Sequence, residues 1–257
     1  MKFGVISFPG SCDDIDARSA CARVGEAVAL WHADRDLQGV DVVVVPGGFS
    51  YGDYLRPGAI ARFSPIMGEV IEFAREGGRV IGICNGFQVC CEAGLLPGAL
   101  LPNLGLRFVC RQVDLDLVNA ETAFTRAFAP GARLSIPVKH TTGRYYAPPE
   151  MLERLERDGQ VVLRYAAGEN PNGSLDDIAG VVNEAGNVLG LMPHPERAME
   201  FTNLYDWPLR REQMKRAGIA IPQESMNMVR RPTGRPRVVS STEENGAGRL
   251  GRYPSRG

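Results

Sequence analysis

The chain has 257 residues, of which 44% are hydrophobic and 23% are charged, and its formal net charge is −1. This balance is typical of a globular protein with a sizeable core, and it gives no general attraction to nucleic acid or to an anionic membrane. No apolar run approaches the ~20 residues of a membrane-spanning helix, and the N-terminus lacks the long apolar core of a signal peptide. We therefore expect a cytoplasmic protein that binds neither membranes nor nucleic acid.

Four apolar strands alternate with three helices in the first part of the chain. The strands are predicted at 2–8, 26–31, 41–46 and 79–83, and the helices at 13–25, 63–78 and 85–96. The segment 41–46, DVVVVP, is almost uniformly apolar, as is typical of a strand buried on both faces of a parallel sheet. The alternation predicts an α/β fold with a doubly wound, mostly parallel sheet.

The pattern changes between residues 105 and 192. Two partly exposed strands are predicted within 106–118 and 133–140, and a helix at 149–159. Three further strands follow, and the sequence NEAGN (183–187) predicts a hairpin turn between the last two. We expect an antiparallel excursion whose last strand returns to the central sheet.

The C-terminal segment differs in composition from the rest. Residues 222–257 hold seven Arg and three Glu, together with four Pro and five Gly. Such a segment buries too little apolar surface to order itself. We predict a domain at 1–205 followed by a basic, largely disordered extension at 206–257, and a basic arm that contacts a partner or RNA is the alternative.

Cysteine and histidine spacing gives no sign of a disulfide framework or a metal site. The six cysteines contain no C-x-x-C pair, and the three histidines (32, 140 and 194) are not spaced like metal ligands. We therefore predict no metal in this chain.

One cysteine stands where a nucleophile is expected. The sequence GICNG (82–86) follows a predicted strand and opens a predicted helix, which is the cysteine form of the nucleophile elbow. The unpaired N–H groups and the dipole of a helix N-terminus favour a thiolate at Cys84, and the N–H of Asn85 would point toward an oxyanion. Cys90 and Cys91 lie within the helix, and we interpret them, with Cys21 and Cys110, as packing residues.

A base and its orienting group are present in the segment GLMPHPERAME (190–200). A cysteine nucleophile needs a base, and the base needs a group that orients it. His194 and Glu196 are two residues apart, so in an extended segment their side chains leave the same face. Glu196 would then hold the imidazole while His194 faces the thiol.

Two glycines follow the buried valine strand. Gly47 and Gly48 free backbone N–H groups at the strand's carboxyl end, where they form a nest for negative charge. Next to the elbow this loop would complete an oxyanion hole. Asp53 and Arg56, further along, either contact a substrate or form a surface pair.

With these pieces placed, the sequence resembles the class I (triad) glutamine amidotransferases. Within them it is most similar to the glutaminase subunits of phosphoribosylformylglycinamidine synthases. The resemblance covers roughly residues 1–200 and rests on PGGFSYGDYLRPGAIA, GICNGFQ, EAGLLPGALLPN, NPNGS and IAGVVNEAGNVLGLMPHPERA.

The resemblance implies a flavodoxin-like sheet and a triad of Cys84, His194 and Glu196. It also implies an oxyanion hole and substrate site built from five residues: Gly47, Gly48, Asn85, Gln88 and His140. The expected reaction hydrolyses glutamine through a cysteine thioester and passes the ammonia to a synthetase subunit, with a small third subunit bridging the two. This chain would hold no cofactor, and the synthetase would use ATP and magnesium.

Two segments within the resemblance depart from the family pattern. The family's GSNCD is GSCD here (10–13), one residue short, and its AHGEGR is KHTTGR (139–144). The altered loop leaves open a degenerate subunit that only docks on the synthetase. The GGFSYGDYLR and CNGFQ segments argue against a glutaminase that serves a different synthetase, and the H-P-E segment argues against a DJ-1-like cysteine protein, which would lack it.

Overall fold

A computed structural model describes residues 1–199, which all fall within one compact unit. The strands are β1 (Lys2–Ser7), β2 (Glu26–Trp31), β3 (Val42–Val45), β4 (Arg79–Ile83), β5 (Ala99–Pro102), β6 (Val109–Leu117), β7 (Arg133–His140), β8 (Thr142–Tyr146), β9 (Val161–Tyr165), β10 (Ile178–Val182) and β11 (Val188–Leu191). The helices are α1 (Asp14–Ala22), α2 (Pro65–Arg75), α3 (Asn85–Glu92) and α4 (Pro149–Arg157). The predicted extension at 206–257 lies outside the described residues, and the predicted boundary at 205 stays a prediction.

Nine strands form one sheet in the order β2-β1-β3-β4-β11-β10-β9-β6-β7. The first five of these are parallel to one another, and the other four pair antiparallel. The α/β fold with a mostly parallel sheet and an antiparallel excursion is therefore confirmed. The excursion extends the same sheet, and β11 returns to lie parallel beside β4.

The centre of the sheet is apolar because its strands are covered on both faces, as the run of valines in β3 predicted. All four residues of β3 are buried, as are all residues of β10 and β11. Strands covered on both faces need no polar alternation, and they form the core against which the helices pack. None of the helices among residues 1–199 is long and apolar enough to cross a membrane.

Two details differ from the prediction. The helix expected at 85–96 ends at Glu92, because the chain turns at Gly94 with φ of 71° while the N–H groups of Gly94 and Leu95 bond back to the carbonyls of Cys91 and Cys90. A small second sheet, in which β5 pairs antiparallel with β8, was not predicted. Its strands lie far apart in sequence and show no clear alternation.

Candidate active site

Cys84 occupies a strained turn between β4 and α3. Its φ is 50° and its ψ is −104°, a backbone conformation that costs a non-glycine residue on the order of 1–3 kcal/mol. The flanking glycines explain how the turn closes. A Cβ at Gly86 would lie 1.8 Å from the Val45 carbonyl oxygen, and one at Gly82 would lie 2.7 Å from the Gly86 carbonyl oxygen. The turn therefore requires glycine on both sides of the cysteine.

His194 and Glu196 reach the same edge of the sheet from β11. Strand β11 pairs with β4 so that Leu191 faces Ile83, and the Cys84 N–H donates to the Leu191 carbonyl at 2.8 Å. His194 is fully buried, and its Nδ1 lies 2.6 Å from Glu196 Oε1. The contact is the predicted one, but the local conformation is not extended, since Pro195–Arg197 forms a 3₁₀ turn that brings the carboxylate back to the ring.

The histidine has one ring nitrogen left for chemistry. Because Nδ1 donates to the Glu196 carboxylate, Nε2 is the atom available to a reacting group. It is buried and has no hydrogen-bond partner among residues 1–199. Burial alone would lower the pKa of His194, but the negative charges of Cys84 and Glu196 outweigh it and raise the pKa to about 10. The protonated imidazole is thus the favoured form of His194 between these two side chains.

A second carboxylate, which sequence reasoning missed, lies behind the histidine. Asp13 is fully buried, and its Oδ2 lies 3.8 Å from His194 Nδ1. Its Oδ1 accepts from Lys139 Nζ at 2.5 Å and from Arg197 Nη2 at 2.7 Å. Burial acts to raise the pKa of Asp13, but Lys139, His194 and Arg197 outweigh it and lower the pKa. The signal in the sequence was its place, shortly after the carboxyl end of β1.

The three buried side chains of Asp13, His194 and Glu196 offer ligand atoms within 4.8 Å of one another. A divalent cation there would compete with two cations already bonded to Asp13 and with the His194–Glu196 hydrogen bond. This arrangement suits an ion-pair network better than a metal, and the absence of a metal stays a prediction.

Two backbone donors are available for an oxyanion. Within the described part of the chain, neither the Gly48 nor the Asn85 N–H bonds to an acceptor. Gly48 lines the cavity beside Cys84. Gly47 lies elsewhere: a Cβ on it would come within 2.5 Å of Asp13 Oδ2 and 2.8 Å of His194 Cε1. Gly48 and Asn85 therefore fit an oxyanion hole, whereas Gly47 makes room for the histidine.

A small cavity opens at the nucleophile. Its volume is about 30 Å³, and its lining residues include Cys84, Gln88, Asp53, His140 and Thr142. The Cys84 thiol donates to the Lys139 carbonyl at 3.8 Å, and Gln88 Nε2 donates to the Thr142 carbonyl at 2.5 Å. The loop 139–142 thus covers the nucleophile.

His140 faces inward but is held by amides. Its Nδ1 lies 3.1 Å from Asn103 Oδ1, and its Nε2 lies 3.5 Å from Asn172 Nδ2. Burial, helped by the charge of His194, lowers the pKa of His140 to about 4. A neutral ring whose two nitrogens both contact asparagine side chains is suited to supporting the loop 139–142. The predicted role of His140 in substrate binding stays a prediction.

The remaining cysteines differ from Cys84 in their surroundings. Cys90 is fully buried, and burial raises its pKa to about 12. Cys91 and Cys21 are partly buried, and burial likewise raises the pKa of each thiol. Cys110 is exposed on β6, so its interpretation as a packing residue was wrong. A surface strand position needs no apolar side chain, and the sequence did not identify the exposed face.

Comparisons with known proteins agree with this geometry. The chain is 63% identical over 201 residues to the phosphoribosylformylglycinamidine synthase subunit PurQ of Rubrobacter xylanophilus, covering 78% of this chain and 90% of that protein. It is 60% identical over 200 residues to the subunit of the same name in Mycobacterium tuberculosis, covering 77% and 88%.

Among solved structures, PurLQS from Thermotoga maritima matches with a TM-score of 0.71 and 45% identity, covering 77% of this chain and 89% of that chain. The model of the CobB/CobQ-like glutamine amidotransferase domain matches residues 1–229. This chain belongs to the family of CobB/CobQ-like glutamine amidotransferase domains.

Proposed function

We propose that this chain is the glutaminase subunit of a phosphoribosylformylglycinamidine synthase. It hydrolyses glutamine to glutamate and ammonia, and the ammonia goes to a synthetase that converts formylglycinamide ribonucleotide to the amidine in purine biosynthesis. The observation that carries the proposal is a strained cysteine on a nucleophile elbow, beside a buried histidine that is held 2.6 Å from a carboxylate. Curated relatives at 60% identity and above carry this subunit's name.

The first half of the reaction forms a thioester. The Cys84 thiolate attacks the side-chain amide carbon of glutamine, a C–S bond forms, and the carbonyl oxygen becomes an oxyanion that the Gly48 and Asn85 N–H groups stabilise. The intermediate collapses with cleavage of the C–N bond. His194 gives its Nε2 proton to the departing nitrogen, which leaves as ammonia.

The second half releases glutamate. Neutral His194 takes a proton from water as the water attacks the thioester carbon, and a second oxyanion forms in the same place. The C–S bond then breaks, and the sulfur and His194 return to the thiolate–imidazolium pair. Glu196 keeps the proton on Nδ1 throughout, so that Nε2 is always the atom that exchanges protons.

The chain works in a complex with a synthetase subunit and a small bridging subunit. The similar solved structure from Thermotoga maritima is described as the structure of PurLQS. We infer that the present chain uses no cofactor, that ATP and magnesium serve the synthetase, and that the complex is cytoplasmic, where ATP is available. Cell fractionation tests the last point.

A glutaminase assay tests the function. The loop 139–142 covers the nucleophile, so we expect the isolated chain to be nearly inactive and to gain activity with its synthetase partners and nucleotide. Cys84→Ala should abolish glutamate production in the full complex, whereas Cys90→Ala should not. Glutamate production that survives Cys84→Ala would refute the assignment, and a wild-type complex without glutaminase activity would indicate a degenerate docking subunit.

A further inference from the structure

Asp53 brings an acidic side chain into the cavity of the nucleophile. It ends the turn Ser50–Asp53 that follows β3, and its φ of 56° is left-handed. Cys84 and Gln88 line the same cavity. The chain therefore holds a carboxylate in the cavity of the reacting thiol, at the cost of a strained backbone.

This carboxylate has no cationic partner among residues 1–199. Arg56, the nearest arginine in sequence, instead forms a bidentate pair with Glu92 at 2.6 Å. Lys139, the lysine of the cavity wall, forms an ion pair with Asp13. Burial raises the pKa of Asp53 to about 6, so near neutral pH the group is still mainly an anion, and a cation in the cavity would stabilise it.

Asn85 fixes the position of this anion. Its Nδ2 donates to Asp53 Oδ1 at 3.3 Å and to Gln88 Oε1 at 2.9 Å, and its Oδ1 accepts from the Ser50 N–H at 3.1 Å. One side chain thus joins the turn that carries Asp53 to the helix that begins at the nucleophile. Such support is what a specificity contact needs, because an anion free to move would not select among ligands.

We propose that Asp53 binds the α-ammonium group of glutamine and so selects a free amino acid over amides that lack this group. The inference rests on the proposed glutaminase function. Glutamine carries its only cation at the end away from the reactive amide, and Asp53 is the unpaired anion of the cavity wall. A charged hydrogen bond of this kind is worth roughly 10- to 100-fold in substrate capture.

Two electrophiles applied to the full chain in its synthetase complex test the proposal. The glutamine analogue 6-diazo-5-oxo-L-norleucine carries an α-ammonium group, whereas iodoacetamide does not. Modification of the Cys84 peptide is followed by mass spectrometry for wild type, Asp53→Asn and Asp176→Asn. Asparagine keeps the shape and tolerates positive φ. Asp176 is a matched control because it is an exposed aspartate with φ of 50° that is absent from the cavity wall.

We expect Asp53→Asn to lower the ratio of the diazo-ketone rate to the iodoacetamide rate by roughly 10- to 100-fold, with no change in Asp176→Asn. Normalising to iodoacetamide removes any general effect on the thiol or on folding, and thermal melting checks the fold. An unchanged ratio in Asp53→Asn, with wild-type Cys84 still modified by the diazo-ketone, overturns the role of Asp53 and leaves the glutaminase assignment intact. If the diazo-ketone does not modify Cys84 in the wild-type complex, the proposed function fails and this inference fails with it.

Discussion

The buried carboxylate of Asp13 is the part of the site that a single substitution tests most directly. Asp13→Asn keeps the side chain's shape but removes the charge that Lys139 and Arg197 share. Removing one partner of a fully buried ion pair costs about 3–5 kcal/mol. Here the two cations keep side-chain exposures of 21% and 33%, and Arg197 also keeps Asp16 at 2.7 Å, so part of their charge stays compensated. We expect a loss of about 2–4 kcal/mol in the free energy of unfolding.

Urea unfolding of Asp13→Asn and Asp16→Asn measures this difference. Asp16 contacts the same arginine from the surface, and its replacement should cost less than about 1 kcal/mol. The imidazole NMR signals provide a second readout, because loss of a carboxylate 3.8 Å from Nδ1 should lower the pKa of His194. Equal losses for the two variants, together with an unchanged His194 titration, would refute the view that Asp13 is an electrostatic support of the histidine.

Three further outcomes follow from contacts at and around the elbow. Gly86→Ala should destabilise the fold by at least about 3 kcal/mol, because its Cβ would clash with the Val45 carbonyl. Gly68→Ala, at an open position of α2, should not destabilise the fold. Equal melting temperatures for the two variants would contradict the packing argument. The pKa of His140 is about 4 in the folded chain against an ordinary value of 6.5, so its contribution to stability is present above pH 6.5 and is lost as the pH falls toward 4, up to about 3 kcal/mol. In urea titrations, His140→Asn should therefore lose less stability than wild type between pH 7 and pH 4.5. An equal loss in the two proteins would contradict this contribution of His140. The glutamine analogue should modify Cys84 and spare Cys90 and Cys91, and peptide mapping that finds Cys90 labelled first would contradict the assignment of the nucleophile.

Local signals explain what the sequence predicted well. The glycines of GICNG, the uniform valines of β3 and the turn NEAGN each act within a few residues, so the elbow, the parallel sheet and the returning hairpin were visible in the sequence. The contact between His194 and Glu196 was also predicted, since two functional groups two residues apart after a buried strand form a short pattern.

The network around Asp13 has no local signal of this kind. Asp13 lies 126 positions from Lys139 and 184 from Arg197, and only the folded sheet brings them together. The link that the Asn85 side chain makes between Asp53 and Gln88 was not predicted for a similar reason, because Asp53 lies 32 positions from Asn85 in the sequence. The pairing of β5 with β8 likewise depends on contacts across the fold.

The hydrogen bond from the Cys84 N–H to the Leu191 carbonyl has a consequence for how such chains can diverge. It places nucleophile and base at the ends of one pair of neighbouring parallel strands, although α3 and the excursion lie between them in sequence. Residues 137–142 of the excursion bond to His194 and cover Cys84, but surface loops elsewhere in the excursion can be gained, lost or exchanged without altering the distance between thiol and imidazole. Adaptation to different synthetases can thus be confined to that excursion, while the chemistry is inherited with the strand pair.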